Sequence, residues 1–320
     1  MRALICGIAG QDGAYLAKRL LDHGYEVIGS SRDAATSTFS ALRQLGILGN
    51  IKTISVSLND FRSVLGAIQQ FQPDELYNLA GQTSVGLSFD QPVETLESIT
   101  SATLTILEAI RFSKRDVRFY NAGSSEIFGD TPAEPANELS PLLPRSPYGV
   151  AKASAYWLVR NYREAYGIFA CTGILSNHES PLRPERFVTQ KIVYAAARIS
   201  NGSAETLELG NVDIQRDWGW APEYVQAMHM ILQQSIADDF VISTGRTVSL
   251  QYFIEQVFDY FSLDWQNHVR ITHSLYRPSD IRVSRVSAKK ANERLGWKAK
   301  YGVEDTIKQL CAAAILRLNQ

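Results

Sequence analysis

The chain has 320 residues, 45% hydrophobic and 20% charged, with a net charge of −1, an ordinary globular composition with room for two domains or one large domain with a cap. A balance so close to zero, without blocks of like charge, argues against a dedicated nucleic-acid or membrane-surface binder, which carries a basic face. Cys6, Cys171 and Cys311 lie far apart with no CxxC pair, which suits reduced structural thiols better than a disulfide frame or a zinc site. The five histidines, among them His178, His229 and His273, are scattered without ligand spacing, so no metal is expected. An apolar strand begins at Ala3 with no signal-peptide pattern, and no segment reaches the roughly 18 apolar residues of a membrane span. The expected compartment is the cytoplasm.

In chain order, residues 2–6 predict a short strand, followed by a glycine loop and a helix over 14–23. Strands follow at 25–28 and 52–56. A helix is predicted over 61–70, where Leu65, Ile68 and Gln69 set the spacing and Asn59 or Asp60 can serve as N-cap. Residues 75–79 predict a fourth strand, 92–110 one long helix and 117–121 a fifth strand. Another long helix is predicted over 147–166, opened by Pro147, and a sixth strand over 169–175. Strands separated by crossover helices imply a mostly parallel sheet covered on both faces. The fold class is therefore α/β, a Rossmann-type doubly wound sheet. In the second half Gly, Pro and Arg concentrate in 177–186, 210–222 and 276–281, as in a substrate domain or lid rather than a second sheet. Residues 263–271 have too weak a period to assign. The expected division is a cofactor domain over 1–170, with a return segment near 210–245, and a smaller C-terminal substrate-binding domain mainly over 171–320.

Gly7-Ile8-Ala9-Gly10-Gln11-Asp12-Gly13 follows a strand and opens a helix. Glycines there permit a tight turn and a close approach of backbone to a pyrophosphate, while the helix N-terminus supplies N–H donors. The spacing is GxxGxxG, the short-chain dehydrogenase variant of the dinucleotide fingerprint. Gly7, Gly10, Gln11, Asp12 and Gly13 are the expected cofactor contacts, with Leu79 at the end of the fourth strand. An NAD site usually places Asp or Glu at the end of the second strand, where it binds the ribose 2′-hydroxyl. This chain reads Ser30-Ser31-Arg32-Asp33. Ser31 and Arg32 suit a phosphate and favour NADP, the alternative being a solvated Arg32 beside Asp33.

Tyr148 and Lys152, four apart on a predicted helix, share one face. An ammonium near a phenol favours the phenolate and would lower the tyrosine pKa toward working pH, as proton transfer with a sugar hydroxyl requires. Ser124, Ser125 and Glu126 follow the fifth strand, at the carboxyl edge where open α/β sheets bind ligands. If the chain stays extended there, 124 and 126 face the same side. Ser124 could hold a substrate oxygen and Glu126 could remove a carbon-bound proton. The competing readings are a turn cap for Ser124 and a loop carboxylate paired with an arginine for Glu126.

These residues resemble the extended short-chain dehydrogenases that act on nucleotide sugars, and the GDP-mannose 4,6-dehydratases most closely. The similar stretches include GIAGQDGAYLAKRLL, YNLAGQTSVGLSFDQPVETLE, GSSEIFGD, PRSPYGVAKASAYW, NHESPLRPERFVTQKI, RDWGWAPEYV and YRPSDI, spread over nearly the whole chain. The resemblance implies the catalytic set Ser124, Glu126, Tyr148 and Lys152. It implies that Tyr148 takes the O4 proton as C4 is oxidised by the nicotinamide, that Glu126 removes the C5 proton and protonates the departing C6 hydroxyl, and that hydride returns to C6. It assigns Asn177, Val188 and Lys191 to the sugar nucleotide and its guanine, Arg216 and Arg277 to the diphosphate, Asp280 to the ribose and Ser84 to the hexose. GDP-mannose or a related GDP-sugar is the expected partner, and the chain is expected to form a homodimer or homotetramer. The segment 32–39 is short and less basic than the arm some relatives use to pack tetramers, so the two states stay open.

Several positions depart from the family pattern. Cys6 replaces a Thr, Ser57 an Asp, Gly123 a small hydroxyl residue, and Ser176 a bulky aromatic, so the pocket wall at 176 is expected to be more open and to leave room for a heptose. A nucleotide-sugar decarboxylase is an alternative, since such enzymes can carry a similar Ser-x-Glu. A dinucleotide-sensing regulator is another, but such proteins tend to lose the Tyr or the Lys, and both are present here.

Overall fold

Seven parallel strands form the central sheet of the computed structural model, which describes residues 1–318. Six of them, β1 (Arg2–Cys6), β2 (Glu26–Ser31), β3 (Lys52–Ser55), β4 (Glu75–Asn78), β5 (Arg118–Ala122) and β6 (Ala170–Leu175), fall within one residue of the positions read from the sequence at each end, except that β2 runs three residues further. The seventh, Phe240–Ile242, comes from the second half and pairs with β6. From that edge the order is Phe240–Ile242, β6, β5, β4, β1, β2, β3, the doubly wound arrangement with its switch point between β1 and β4. Side chains alternate between the two faces of the sheet. Ile5, Tyr77 and Tyr120 enter one apolar cluster, while Leu4, Leu76 and Phe119 enter another. Period-2 alternation with both sets buried is what covering both faces requires.

Local chemistry explains the helix ends. Asp60 caps Phe61–Phe71 by accepting from the Arg62 N–H at 3.0 Å. Ser146 caps Pro147–Tyr166 by accepting from Gly149 N–H at 3.0 Å, with Pro147 at the first position and Gly167 closing the helix at φ 67°. The helix expected over 92–110 is not continuous. It runs as Pro92–Leu96, a π turn at Glu97–Ser101, and Ala102–Ser113. At the π turn the Gln82 N–H donates to Ser98 Oγ at 3.2 Å, and Thr100 Oγ1 donates to the Ala151 carbonyl at 3.1 Å. Contacts with two neighbouring segments thus accompany the extra residue in the turn.

Among the described residues the second half holds three two-stranded ribbons and no second large sheet. Asn177–Glu179 lies parallel to Trp218–Trp220, so the NHES and RDWGW stretches are joined residue by residue. Residues 263–271, unassigned from the sequence, form a short turn at Trp265–Asn267 and a strand, Val269–Ile271, beside Leu207–Leu209. A further core joins Ile192, Trp218, Phe253, Phe258 and Leu310. Cys6, Cys171 and Cys311 are free and buried.

Candidate active site

A cleft of about 870 Å³ is lined by Gly7, Gly10, Gln11, Asp12, Gly13, Ser31, Arg32 and Leu79, bringing together the loop residues expected to meet a dinucleotide. Gly7 has φ +84°, and a side chain there would meet the backbone of Ala80 at 2.8 Å. A side chain at Gly13 would strike the Gly7 carbonyl. The turn therefore needs glycine at both positions. Ser31 Oγ is buried with no hydrogen-bond partner among the described residues, an orphan that a phosphate or ribose oxygen would satisfy. The cleft, the bare loop and this orphan all fit a dinucleotide. Asp33 turns onto its own loop, accepting from Ala35 N–H at 2.9 Å and Thr36 Oγ1 at 2.8 Å.

Ser124, Glu126, Tyr148 and Lys152 are all buried, each exposed by 9% or less. The chain is extended at Ser124 but turns from Ser125. Ser124 caps a single turn at Ser125–Ile127, accepting from the Glu126 N–H at 3.3 Å, so the turn rather than strand alternation sets their relation. Both competing readings hold at once: Ser124 is a cap, and Glu126 Oε1 lies 3.6 Å from Arg216 Nε. Burial raises the Glu126 carboxyl pKa, against the pull of Arg216 and Arg277.

Lys152 Nζ donates to the Ala122 carbonyl at 2.6 Å and stands 5.8 Å from the centre of the Tyr148 ring. The expectation that the ammonium lowers the tyrosine pKa is not met. Burial pushes Tyr148 up to about 12 although the Ser124 hydroxyl pulls the other way, and burial brings Lys152 down to about 8. Desolvation disfavours both charged forms and is the largest cause of each shift.

The arginines expected at the diphosphate form a chain of charge. Asp280 Oδ1 lies 3.2 Å from both Arg216 Nη2 and Arg277 Nη1, and Arg216 Nη1 also donates to the Ile281 carbonyl at 2.8 Å. Asp280 is thus occupied as a bridge between two guanidiniums. Other expected contacts lie apart from the cleft wall. Ser84 caps Val85–Asp90, accepting from Leu87 N–H at 3.2 Å. Val188 opens Val188–Ser200, and Lys191 Nζ one turn later donates to the Glu208 carbonyl at 2.7 Å. Asn177 sits opposite Trp218 in its ribbon.

The glycine loop is tied to the Asn177–Glu179 ribbon. His178 Nε2 lies 2.9 Å from Asp12 Oδ2 and Nδ1 lies 2.8 Å from the Ser176 carbonyl, while Gln11 Nε2 donates to the His178 carbonyl at 3.2 Å. Burial would raise the Asp12 carboxyl, but His178 holds it at about 2. Burial would lower the His178 pKa, and Asp12 raises it on balance. The Ser176 hydroxyl does not open the pocket. It bonds Tyr224 Oη at 2.6 Å and Asp217 Oδ1 at 3.3 Å, so it belongs to a buried network. Gly123 has no room for a hydroxyl residue, since a side chain would meet Thr172 Cγ2 at 2.7 Å. Sequence reasoning missed Arg183, which lines the cleft and stacks on Phe187 at 3.8 Å. Its place inside the SPLRPERF stretch was the available signal.

A doubly wound sheet carrying a glycine loop and a buried Tyr-Lys pair defines an extended short-chain dehydrogenase. A family model described as GDP-mannose 4,6 dehydratase matches residues 4–310, and the chain belongs to that family. It is 42% identical over 318 residues to GDP-mannose 4,6 dehydratase 1 of Arabidopsis thaliana, covering 96% of this chain and 88% of that protein. It is 43% identical over 329 residues to GDP-mannose 4,6-dehydratase of Sinorhizobium fredii, covering 95% of this chain and 93% of the relative. Among solved structures, UDP-glucose 4-epimerase of Thermotoga maritima with UDP-glucose matches with TM-score 0.87 at 21% identity, covering 100% of this chain and 99% of that one. At that identity the match speaks for the fold.

Proposed function

We propose that the chain converts GDP-D-mannose to GDP-4-keto-6-deoxy-D-mannose, with NADP as its cofactor. The observation that carries the reading is Glu126. This buried carboxylate has a raised pKa, sits two residues from Ser124 and is flanked by Arg216. A simple epimerase or reductase has no need for such a base. A nicotinamide dinucleotide held by the loop from Gly7 to Gly13 with Ser31, Arg32 and Leu79 would supply a reversible hydride acceptor for the hexose. Tyr148 takes the O4 proton as phenolate, a form that burial disfavours and that the positive ring of a bound oxidised nicotinamide would favour. Ser124 holds O4, and Lys152 orients the site from the Ala122 carbonyl. Glu126 then removes the C5 proton, made acidic by the neighbouring ketone, and delivers it to the departing C6 hydroxyl. Once C6 is reduced, the resulting enolate takes up a proton at C5 that balances the one released from O4. Arg216 acts as counter-charge to Glu126, and Arg277 grips the diphosphate. Asn177, Val188 and Lys191 hold the guanosine, with Ser84 beside the hexose.

Residues 1–170 with the return segment near 210–245 bind the cofactor in this reading, and the remainder of 171–320 binds the sugar nucleotide. The Ser31 orphan and Arg32 support NADP. Three buried free thiols support a reducing compartment such as the cytoplasm, and no helix among the described residues is long and apolar enough to cross a membrane. A homodimer or homotetramer is expected, since Leu104, Phe112, Val150 and Trp157 are exposed on adjoining helices. The deciding experiment incubates the purified protein with GDP-mannose and catalytic NADP⁺ and follows product by mass. Loss of one water without net NADPH supports the reading. Retention of the full mass with GDP-mannose and with a GDP-heptose would sink it.

A further inference from the structure

Arg32 meets a carboxylate across the mouth of the cleft. Its Nη2 lies 3.2 Å from Oε1 of Glu94, and both residues line the cleft. Glu94 stands in the first turn of Pro92–Leu96, just ahead of the π turn. On the same stretch, Ser98 also lines the cleft and accepts the Gln82 N–H, and Thr95 Oγ1 accepts from Gln82 Nε2 at 3.2 Å. The helix that carries Glu94 is therefore anchored to the loop after β4. Asp33, beside Arg32 in sequence, is spent on its own loop, where it accepts three hydrogen bonds. Of the two carboxylates, Glu94 is the one that meets the guanidinium.

We propose that Glu94 is a specificity-determining residue for the cofactor ribose, weakening the preference for a 2′-phosphate so that the cleft takes both NADP and NAD. The inference rests on the reading of Ser31 and Arg32 as the ribose end of the cofactor site. In a dinucleotide fold the carboxylate that holds a 2′-hydroxyl comes from the end of the second strand, where it repels a 2′-phosphate. Here that strand ends in Ser31 and Arg32, and the carboxylate is supplied from a helix on the facing wall. A 2′-phosphate and Glu94 are two anions bidding for one planar guanidinium fork. A 2′-hydroxyl can instead donate to Glu94 while Arg32 stays paired. Because the side chains of Arg32 and Glu94 are 84% and 47% exposed, solvent screens the competition, and the effect is graded rather than absolute.

The test measures dissociation constants for NADP⁺ and NAD⁺ by titration calorimetry on the wild-type chain, Glu94→Gln and Arg32→Ala, with no turnover required. Glu94→Gln is expected to shift the NADP-to-NAD affinity ratio toward NADP by roughly 1.5- to fivefold, the range of an exposed charge pair. The shift should shrink at high salt. Arg32→Ala is expected to lose NADP affinity and leave NAD nearly unchanged. If Arg32→Ala behaves so but Glu94→Gln leaves the ratio unmoved, Glu94 does not set specificity and the NADP reading stands. If Arg32→Ala leaves NADP binding unchanged, the phosphate reading of Arg32 fails and the inference goes with it.

Discussion

Glu126 is a buried carboxyl whose ionisation is contested by its surroundings. Burial favours the neutral acid, and the guanidiniums of Arg216 and Arg277 favour the anion. Such a group, held above the ordinary glutamate range, can give a proton as well as take one. Glu126→Gln should therefore permit oxidation at C4 but block elimination, so that mixing with GDP-mannose leaves reduced nicotinamide on the protein and product forms roughly 10²–10⁴-fold more slowly. Tyr148→Phe should suppress both the reduced-cofactor absorbance and the product. An equal loss of cofactor binding in the two variants would contradict these roles. Removing the counter-charge has a signed consequence as well. Because Arg216 lowers the Glu126 pKa, Arg216→Gln should push the acidic limb of the kcat/KM profile to higher pH, and an unmoved limb would separate Arg216 from Glu126. At this scale the sequence was open where the structure is double. Ser124 as cap and Glu126 as arginine partner are local roles, and neither excludes chemistry. What could not be read was the balance of burial against charge at Tyr148, because desolvation depends on everything packed around the ring.

Elements are joined at this site by buried polar side chains. Asp217 accepts from Thr244 Oγ1 at 2.9 Å and from Gly245 N–H at 2.8 Å, and it receives the Ser176 hydroxyl at 3.3 Å. One carboxylate thus pins the ends of β6 and of the Phe240–Ile242 strand to the residue next to Arg216. Burial raises its pKa from 3.8 to about 6. The unfolded chain ionises first, so the stabilising contribution is present at low pH and is lost as pH rises through about 6. The full span corresponds to roughly 3 kcal/mol. Asp217→Asn should remove this slope, so that wild-type minus variant stability falls between about pH 4 and pH 6 in denaturant titrations. A constant difference would mean that Asp217 ionises normally. The strands β1 to β6 were legible because apolar runs, caps and Pro147 mark them locally. The π turn at Glu97–Ser101 was not, since it answers to Gln82 and Ala151, which are distant in sequence. Neither was the Phe240–Ile242 strand, whose three residues are too few to show a period. Glu94 escaped notice for a related reason. Sequence motifs look for the ribose carboxylate after β2, and this one arrives from another wall.

Across the whole molecule, the cleft touches segments from residue 7 to residue 187 and reaches Arg317 near the end of the last helix. A ligand bound there must couple to global unfolding, because it binds the folded chain alone. At one hundred times its dissociation constant a cofactor should add about 2.7 kcal/mol, and thermal scans should rise by several degrees. NADP and NAD at equal multiples of their own constants should give equal shifts. A melting point insensitive to both would mean that the cleft is not a dinucleotide site.

The Phe240–Ile242 strand carries a consequence for how the chain is made. When β6 leaves the ribosome, it has β5 on one side and nothing on the other, and all six of its residues are of the kind the finished protein hides. Its missing neighbour is encoded some sixty-five residues later, several seconds away at ordinary elongation speeds of about 5–20 residues per second. For that interval the nascent chain presents an apolar, unpaired strand edge, the form most prone to recruit a second nascent copy. A chain stopped before Phe240 should therefore accumulate in aggregates, whereas one carried through Ile242 has the means to close its own sheet.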